Sequence, residues 1–228
     1  MRVSIVVPFR GGCPHRERAW EWIRERYASA HPDWDLVEAS APDGPWCKGA
    51  AVAPVIEASD AEVVVVADAD AWCEGLERAV YAVVCGLAAW GMPHRKVHRL
   101  DEDATAAVFA GEPWEEQSSF TQRPYEGVWG GGIVVGRRDV FLDVPLDPRY
   151  VLWGQEDTSW AVALQCLHGP GWRGDAPLLH LFHPPQDRET RQRGSKESWA
   201  LFQRYRKARR DPQAMRELLE EAQCPLPA

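Results

Sequence analysis

The chain has 228 residues, 45% hydrophobic and 26% charged, a composition that suits one large globular domain and excludes collagen-like and low-complexity classes. Its net charge of −8 is uneven: residues 186–210 carry +6, residues 211–228 carry −3, and the remaining body carries −11. An acidic body argues against nucleic acid as the main partner, since affinity for its backbone needs a basic surface, and no apolar run is long enough to span a bilayer.

The N-terminus runs directly into "VSIVVPF" (3–9), read as a core strand, so no signal peptide is expected and the cytoplasm is the expected compartment. "HRERAWEWIRERYASA" (15–30) has helical periodicity, with Trp20, Ile23 and Tyr27 on one stripe. "DLVEAS" (35–40) reads as a strand, "CKGAAVAPVIEAS" (47–59) as a helix, and "AEVVVVAD" (61–68) as a strand buried on both faces. "GLERAVYAVVCGLAAW" (75–90) reads as a helix ended by Gly91 and Pro93. This alternation predicts an α/β fold with a mostly parallel sheet flanked by helices.

Further along, "KVHRL" (96–100) reads as a short strand, 101–111 as a capped helix and 112–128 as a polar loop. "GGGIVVG" (130–136) reads as a strand with a glycine entrance, and "GQEDTSWAVALQCLHG" (154–169) as a helix opening on acids, which suits its dipole. "APLLHLFHPP" (176–185) reads as a strand stopped by prolines. Residues 195–222 read as one or two helices, with Asp211-Pro212 as the break. The six cysteines form no CxxC or zinc pattern. Cys85 and Cys166, in helix-like apolar surroundings, are expected to be buried thiols. Of the twelve tryptophans most are expected in the core, with some free to line a ligand groove.

Ligands of open α/β sheets bind beyond the carboxyl ends of the strands. Asp68 and Asp70 sit at such an end, and in extended chain residues i and i+2 point the same way. Two hard oxygen ligands there suit Mg²⁺ or Mn²⁺, which take the rest of their shell from phosphates. The alternative is a strand meeting water. Glu156 and Asp157, beside Trp153, read either as dipole-stabilising helix acids or as a general base next to an aromatic platform. His180 and His183 lie three apart, which on a strand sends them to opposite faces, so only one is expected to reach a given metal.

Taken in order, "IVVPFR", "DAD" after a valine strand, "YEGVWGGG", "WGQED" and "HLFH" resemble the GT-A glycosyltransferases, most closely the inverting beta-galactosyltransferase and chondroitin-polymerase group, over roughly residues 3–185. The resemblance implies a GT-A domain over 1–185, with 186–228 as a basic loop and helical extension packed on it. It implies a UDP-sugar donor of the galactose, N-acetylgalactosamine or glucose type and a Mn²⁺ or Mg²⁺ ion. Pro8, Phe9, Arg10 and Lys48 would meet the nucleotide. Asp70 and His180, rather than His183, would hold the metal, with Asp68 at the ribose or a metal-bound water. Asp157 would be the catalytic base and Glu156 would help hold a sugar, with Trp129, Gly131 and Trp153 lining the sugar site. Apart from the resemblance, the basic segment reads either as a solvated helix face or as a loop over 186–195 that closes over the diphosphate, with Arg188, Arg191 or Arg193 adding positive charge. Thr158 and Ser159 replace a further acid common in the group, which leaves the acceptor open: glycan, protein, lipid or modified base. The other readings are a retaining transferase of the polypeptide N-acetylgalactosaminyltransferase type, a sugar-nucleotide pyrophosphorylase-like enzyme, and a non-catalytic nucleotide- or carbohydrate-binding module.

Overall fold

The computed structural model describes residues 1–117, 119–122, 130–185 and 194–223. Strands β1 (Val3–Pro8), β2 (Asp35–Ala39) and β3 (Val63–Ala67) pair in parallel in the order β2-β1-β3, with helices α1 (Pro14–Ala30) and α2 (Lys48–Ala58) as the crossovers. The sheet continues beyond β3 through β7 (Ile133–Arg137), β5 (Trp90–Leu100), β8 (Trp172–His180) and the two-residue β4 (Ala71–Trp72), while β6 (Ser119–Gln122) pairs with β5.

Alternation along the strands builds two cores. Val3, Ile5, Val7, Val63, Val65, Ile133 and Val135 face α1, α3 (Leu76–Val84) and α4 (Glu102–Phe109). Val6, Val64, Val66 and Val134 face α2, α5 (Arg138–Asp143), α6 (Glu156–His168), α7 (Lys196–Ala208) and α8 (Pro212–Gln223). A strand covered on both faces must be apolar at every position, which is why "VVVVA" has no polar phase.

The α/β architecture stands, but the sheet is mixed rather than mostly parallel. Parallel pairing is confined to β2-β1-β3 and β5–β8, and β3–β7, β5–β7, β4–β8 and β5–β6 are antiparallel. The expected helix over 75–90 stops at Val84, and β5 begins at Trp90, well before the expected strand. Gly91 and Pro93 therefore lie inside β5. A Cβ at Gly91 would come 2.6 Å from the Trp172 carbonyl oxygen, so glycine is required by the neighbouring strand. Pro93 falls at a register shift between Met92 and His94, where a missing N–H costs the ladder little. Cys85, at the C-cap of α3, is exposed and Cys166 only half-buried, whereas Cys47 and Cys73 are the buried thiols. Among the described residues five tryptophans are buried, at 20, 72, 90, 114 and 160. Cys224 lies outside the described residues.

Candidate active site

The C-terminal end of β3, the first residue of α2, the entrance to β7, the first turn of α6 and the end of β8 converge on one place. Beyond β3 the chain is not extended. It turns at Ala69 and Asp70, closed by the Ala71 N–H donating to the Asp68 carbonyl at 3.1 Å. The i/i+2 rule of a strand lapses here, and the two carboxylates of "DAD" serve different partners.

Asp68 faces α2. Its Oδ1 accepts from Lys48 Nζ at 2.7 Å and its Oδ2 from the Gly132 N–H at 3.1 Å. The same Lys48 ammonium donates to Asp157 Oδ1 at 2.8 Å. Lys48 opens α2 and its side chain is only 10% exposed. Burial works to lower its pKa, but the Asp157 and Asp68 carboxylates outweigh this and hold it charged, well above the ordinary lysine value. Burial works to raise the Asp68 pKa, yet Lys48, His180 and the Gly132 N–H keep it below the usual carboxylate value. Asp157 lacks the backbone donor, and there burial prevails over Lys48 and its pKa lies above the ordinary value.

Asp70 faces β8. It is buried, and His180 Nε2 lies 3.7 Å from its Oδ1 and His183 Nε2 3.3 Å from its Oδ2. One donor atom from each of the three residues falls within 4.8 Å of the others. Both rings bond through Nδ1 to a backbone carbonyl, His180 to Leu181 at 2.9 Å and His183 to Pro184 at 2.8 Å. A carbonyl only accepts, so Nδ1 carries the proton and each Nε2 lone pair is turned toward Asp70. This is the tautomer a metal-ligating histidine needs, with its outer hydrogen bond already made. Burial, partly opposed by Asp70, holds the His180 pKa below its ordinary value, which favours the neutral ring. One carboxylate with two imidazoles suits a first-row divalent ion such as Mn²⁺ better than Mg²⁺, which takes oxygen ligands. Asp68 is not among the clustered residues. His183, expected on the far face, joins because β8 ends at His180 and Pro184-Pro185 follow, so strand alternation no longer applies at 183. Arg16 of α1 approaches His183 Nε2 at 3.5 Å, a neighbour that no local pattern announces.

Glu156 and Asp157 are the first two residues of α6. Glu156 Oε2 accepts from the Gly154 N–H at 3.0 Å. Burial first, and the adjacent Asp157 charge second, push the Glu156 carboxyl up to about 7. The preceding turn holds Leu152 at φ 64° and Gln155 at φ 63°, left-handed conformations that cost non-glycine residues strain. The Leu152 N–H is tied to the Trp46 carbonyl at 2.7 Å, and Trp153 is half-buried beside it. Gly130 admits the backbone of α6 itself, since a Cβ there would lie 2.1 Å from the Asp157 carbonyl oxygen; a Cβ at Gly131 would lie 3.1 Å from Asp157 Oδ2, and one at Gly132 would meet Leu178 of β8 at 2.5 Å.

At the end of β1, Pro8 is buried and Phe9 packs on Trp20 with ring centroids 6.2 Å apart. Arg10 donates to the Gly44 and Pro42 carbonyls at 2.6 and 3.0 Å and sits 5.3 Å from the Trp46 ring centroid, closing the loop before α2. Trp129, Arg188, Arg191 and Arg193 lie outside the described residues.

No family model matches the sequence, and no curated protein does. Solved structures do match. A crystal structure of GalNAc-T7 with UDP, GalNAc and Mn²⁺ aligns with a TM-score of 0.51 at 11% identity, over 98% of this chain and 55% of that one. A glucosyl-3-phosphoglycerate synthase from Mycobacterium tuberculosis, with Mn²⁺, UDP and phosphoglyceric acid, aligns with a TM-score of 0.48 at 13% identity over 99% of this chain and 80% of that one. A mutant Drosophila beta-1,4-galactosyltransferase 7, with manganese, UDP-Gal and xylobiose, gives 0.46 at 14% identity over 86% and 68%. The chain thus spans about half the length of the first of these. Its α/β architecture is that of the GT-A glycosyltransferase fold.

Proposed function

We propose that this chain is a metal-dependent glycosyltransferase that moves a sugar from a nucleotide-diphosphate donor, a UDP-sugar of the galactose, N-acetylgalactosamine or glucose type, to an acceptor hydroxyl with inversion. The observation that carries the reading is the Asp70, His180 and His183 cluster set beside the Lys48-linked Asp68 and Asp157, at the strand ends of a GT-A fold.

Asp70, His180 and His183 would hold Mn²⁺ or Mg²⁺, which supplies positive charge for the departing diphosphate. Lys48 adds a fixed cation one residue pair away. Asp157 accepts the proton of the acceptor hydroxyl as that oxygen bonds to the anomeric carbon and the bond to the donor phosphate breaks. A single displacement inverts the anomeric configuration. Glu156 holds a sugar hydroxyl, and Trp153 offers a flat apolar face to a ring. Arg10, just past β1, and Trp46, just before α2, bound the nucleotide end.

The test is nucleotide release from a panel of UDP-, GDP- and other nucleotide sugars with Mn²⁺, Mg²⁺ or EDTA, beside an Asp70→Ala control. Metal-dependent release from one donor, lost in the variant, is expected. Absence of release from every donor, together with no rise in melting temperature on adding UDP and Mn²⁺, would overturn the proposal.

A further inference from the structure

Helix α7 presents two opposed faces. Inward, Ser198, Leu201, Tyr205 and Ala208 pack toward α6 and the core, and the Tyr205 hydroxyl donates to buried Asp147 at 2.8 Å. Tyr205 is 1% exposed and unreachable from outside. Outward, the 100° turn per residue puts Lys196, Trp199, Gln203, Arg206 and Lys207 within an arc of about 100°, and Arg210 follows in the turn two residues past the helix end. That arc contains no acid; Glu197 falls on the opposite flank. Lys196, Arg206, Lys207 and Arg210 are exposed, and among the described residues none is ion-paired, whereas Arg204, on the other flank, is held by Glu221 at 2.7 Å. The Arg206 guanidinium sits 5.8 Å from the Phe202 ring centroid, and Phe202 lies 5.5 Å from Trp199. In a chain whose body carries −11, this acid-free basic stripe is a local concentration of positive charge.

We infer that this outer face of α7 docks reversibly on an anionic phospholipid surface, with Lys196, Arg206, Lys207 and Arg210 at the headgroup phosphates and Trp199 at the interface. Charge carries the attachment: each cation near an anionic leaflet is worth roughly a fivefold gain in binding, and a Trp is favoured at headgroup level. The stripe is convex, single-sided and about 20 Å long, which matches a plane. A nucleic-acid strand is held instead in a groove lined by several stacking rings, and the stripe offers neither. The inference does not rest on the proposed transfer reaction.

The full chain is floated with vesicles of phosphatidylcholine alone and of phosphatidylcholine mixed with phosphatidylglycerol, at low and high salt. Retention by the anionic vesicles only, weakening with salt, is expected. The Lys207→Glu/Arg210→Glu and Lys196→Glu/Arg206→Glu pairs should each bind at least about 25-fold more weakly with melting temperature unchanged. The Arg24→Glu/Arg95→Glu pair, with the same change of net charge on other elements, should bind nearly as well as the parent. No retention, equal retention by neutral vesicles, or equal loss in all three variant pairs overturns the inference. Retention of a duplex oligonucleotide at the same salt, without vesicle binding, assigns the stripe to nucleic acid instead.

Discussion

Lys48 Nζ donates to Asp157 Oδ1 at 2.8 Å across 109 positions of sequence, and in the same place holds Asp68 Oδ1 at 2.7 Å. One nearly buried ammonium thus joins the carboxylate that ends β3 to the carboxylate that opens α6. The two acids would otherwise repel each other in a half-buried site. With Lys48 between them, Asp157 is held in one position, and the ammonium offsets part of the burial that raises its pKa.

Replacing this lysine should therefore cost stability. Lys48→Met leaves two carboxylates without their cation, and we expect a loss of about 2–4 kcal/mol, below the full cost for a completely buried pair because both acids keep partial exposure. The double variant Lys48→Met/Asp157→Asn should recover part of it. Urea unfolding of the three variants measures this; a Lys48→Met protein as stable as the parent contradicts the linkage.

Asp157→Asn should reduce turnover by roughly 10²–10⁴-fold while leaving UDP and Mn²⁺ binding intact, since an amide cannot take the acceptor proton but still accepts a hydrogen bond from Lys48. Steady-state kinetics with the donor that the nucleotide-release panel identifies, beside calorimetric binding of UDP, separates the two. Near-parental turnover removes Asp157 from the role of base.

The Glu156 carboxyl is pushed up to about 7 from 4.5 in the folded protein. Between those values the folded state binds more protons than the unfolded state. Stability is therefore fully present below pH 4.5, falls as pH rises toward 7, and is constant above it as far as this group is concerned. Glu156→Gln should abolish that fall and be about 2–3 kcal/mol more stable relative to the parent at pH 8 than at pH 4.5. Denaturant midpoints across this range give the answer, and parallel pH profiles for the two proteins would falsify it.

His183→Ala should weaken Mn²⁺ binding as severely as His180→Ala, by about 100-fold or more, because both Nε2 atoms face Asp70. Titration of Mn²⁺ followed by electron paramagnetic resonance reads this directly. A His183→Ala protein that binds like the parent leaves only Asp70 and His180 at the site.

Gly130→Ala should displace the first turn of α6, since its Cβ would fall 2.1 Å from the Asp157 carbonyl oxygen. We expect a loss of about 1–3 kcal/mol and a fall in kcat. Unchanged stability and rate together would mean that the glycine entrance does not set the position of Asp157.

The periodicities of the sequence were enough for α1, α2, β1, β2 and β3, because a strand covered on both faces and a helix covered on one leave unambiguous apolar patterns. They failed around residues 85–95, where a strand takes its glycine and proline from contacts with β7 and β8 rather than from local preference. They also missed α5, only six residues long.

At the site, the residue types were legible and their partnerships were not. The sequence by itself determined that acids follow the valine strand, that two more acids open a helix, that histidines end a late strand, and that glycines precede β7, since each of these is a local pattern with a chemical meaning. Only the tertiary structure decided that Asp68 and Asp70 part company at a turn, that His183 joins His180, that Arg10 closes a loop, and that Lys48 spans two acids. Those outcomes depend on where five separate elements end in space, and a chain direction that breaks after the last paired residue is set by its neighbours in the fold rather than by its own repeat.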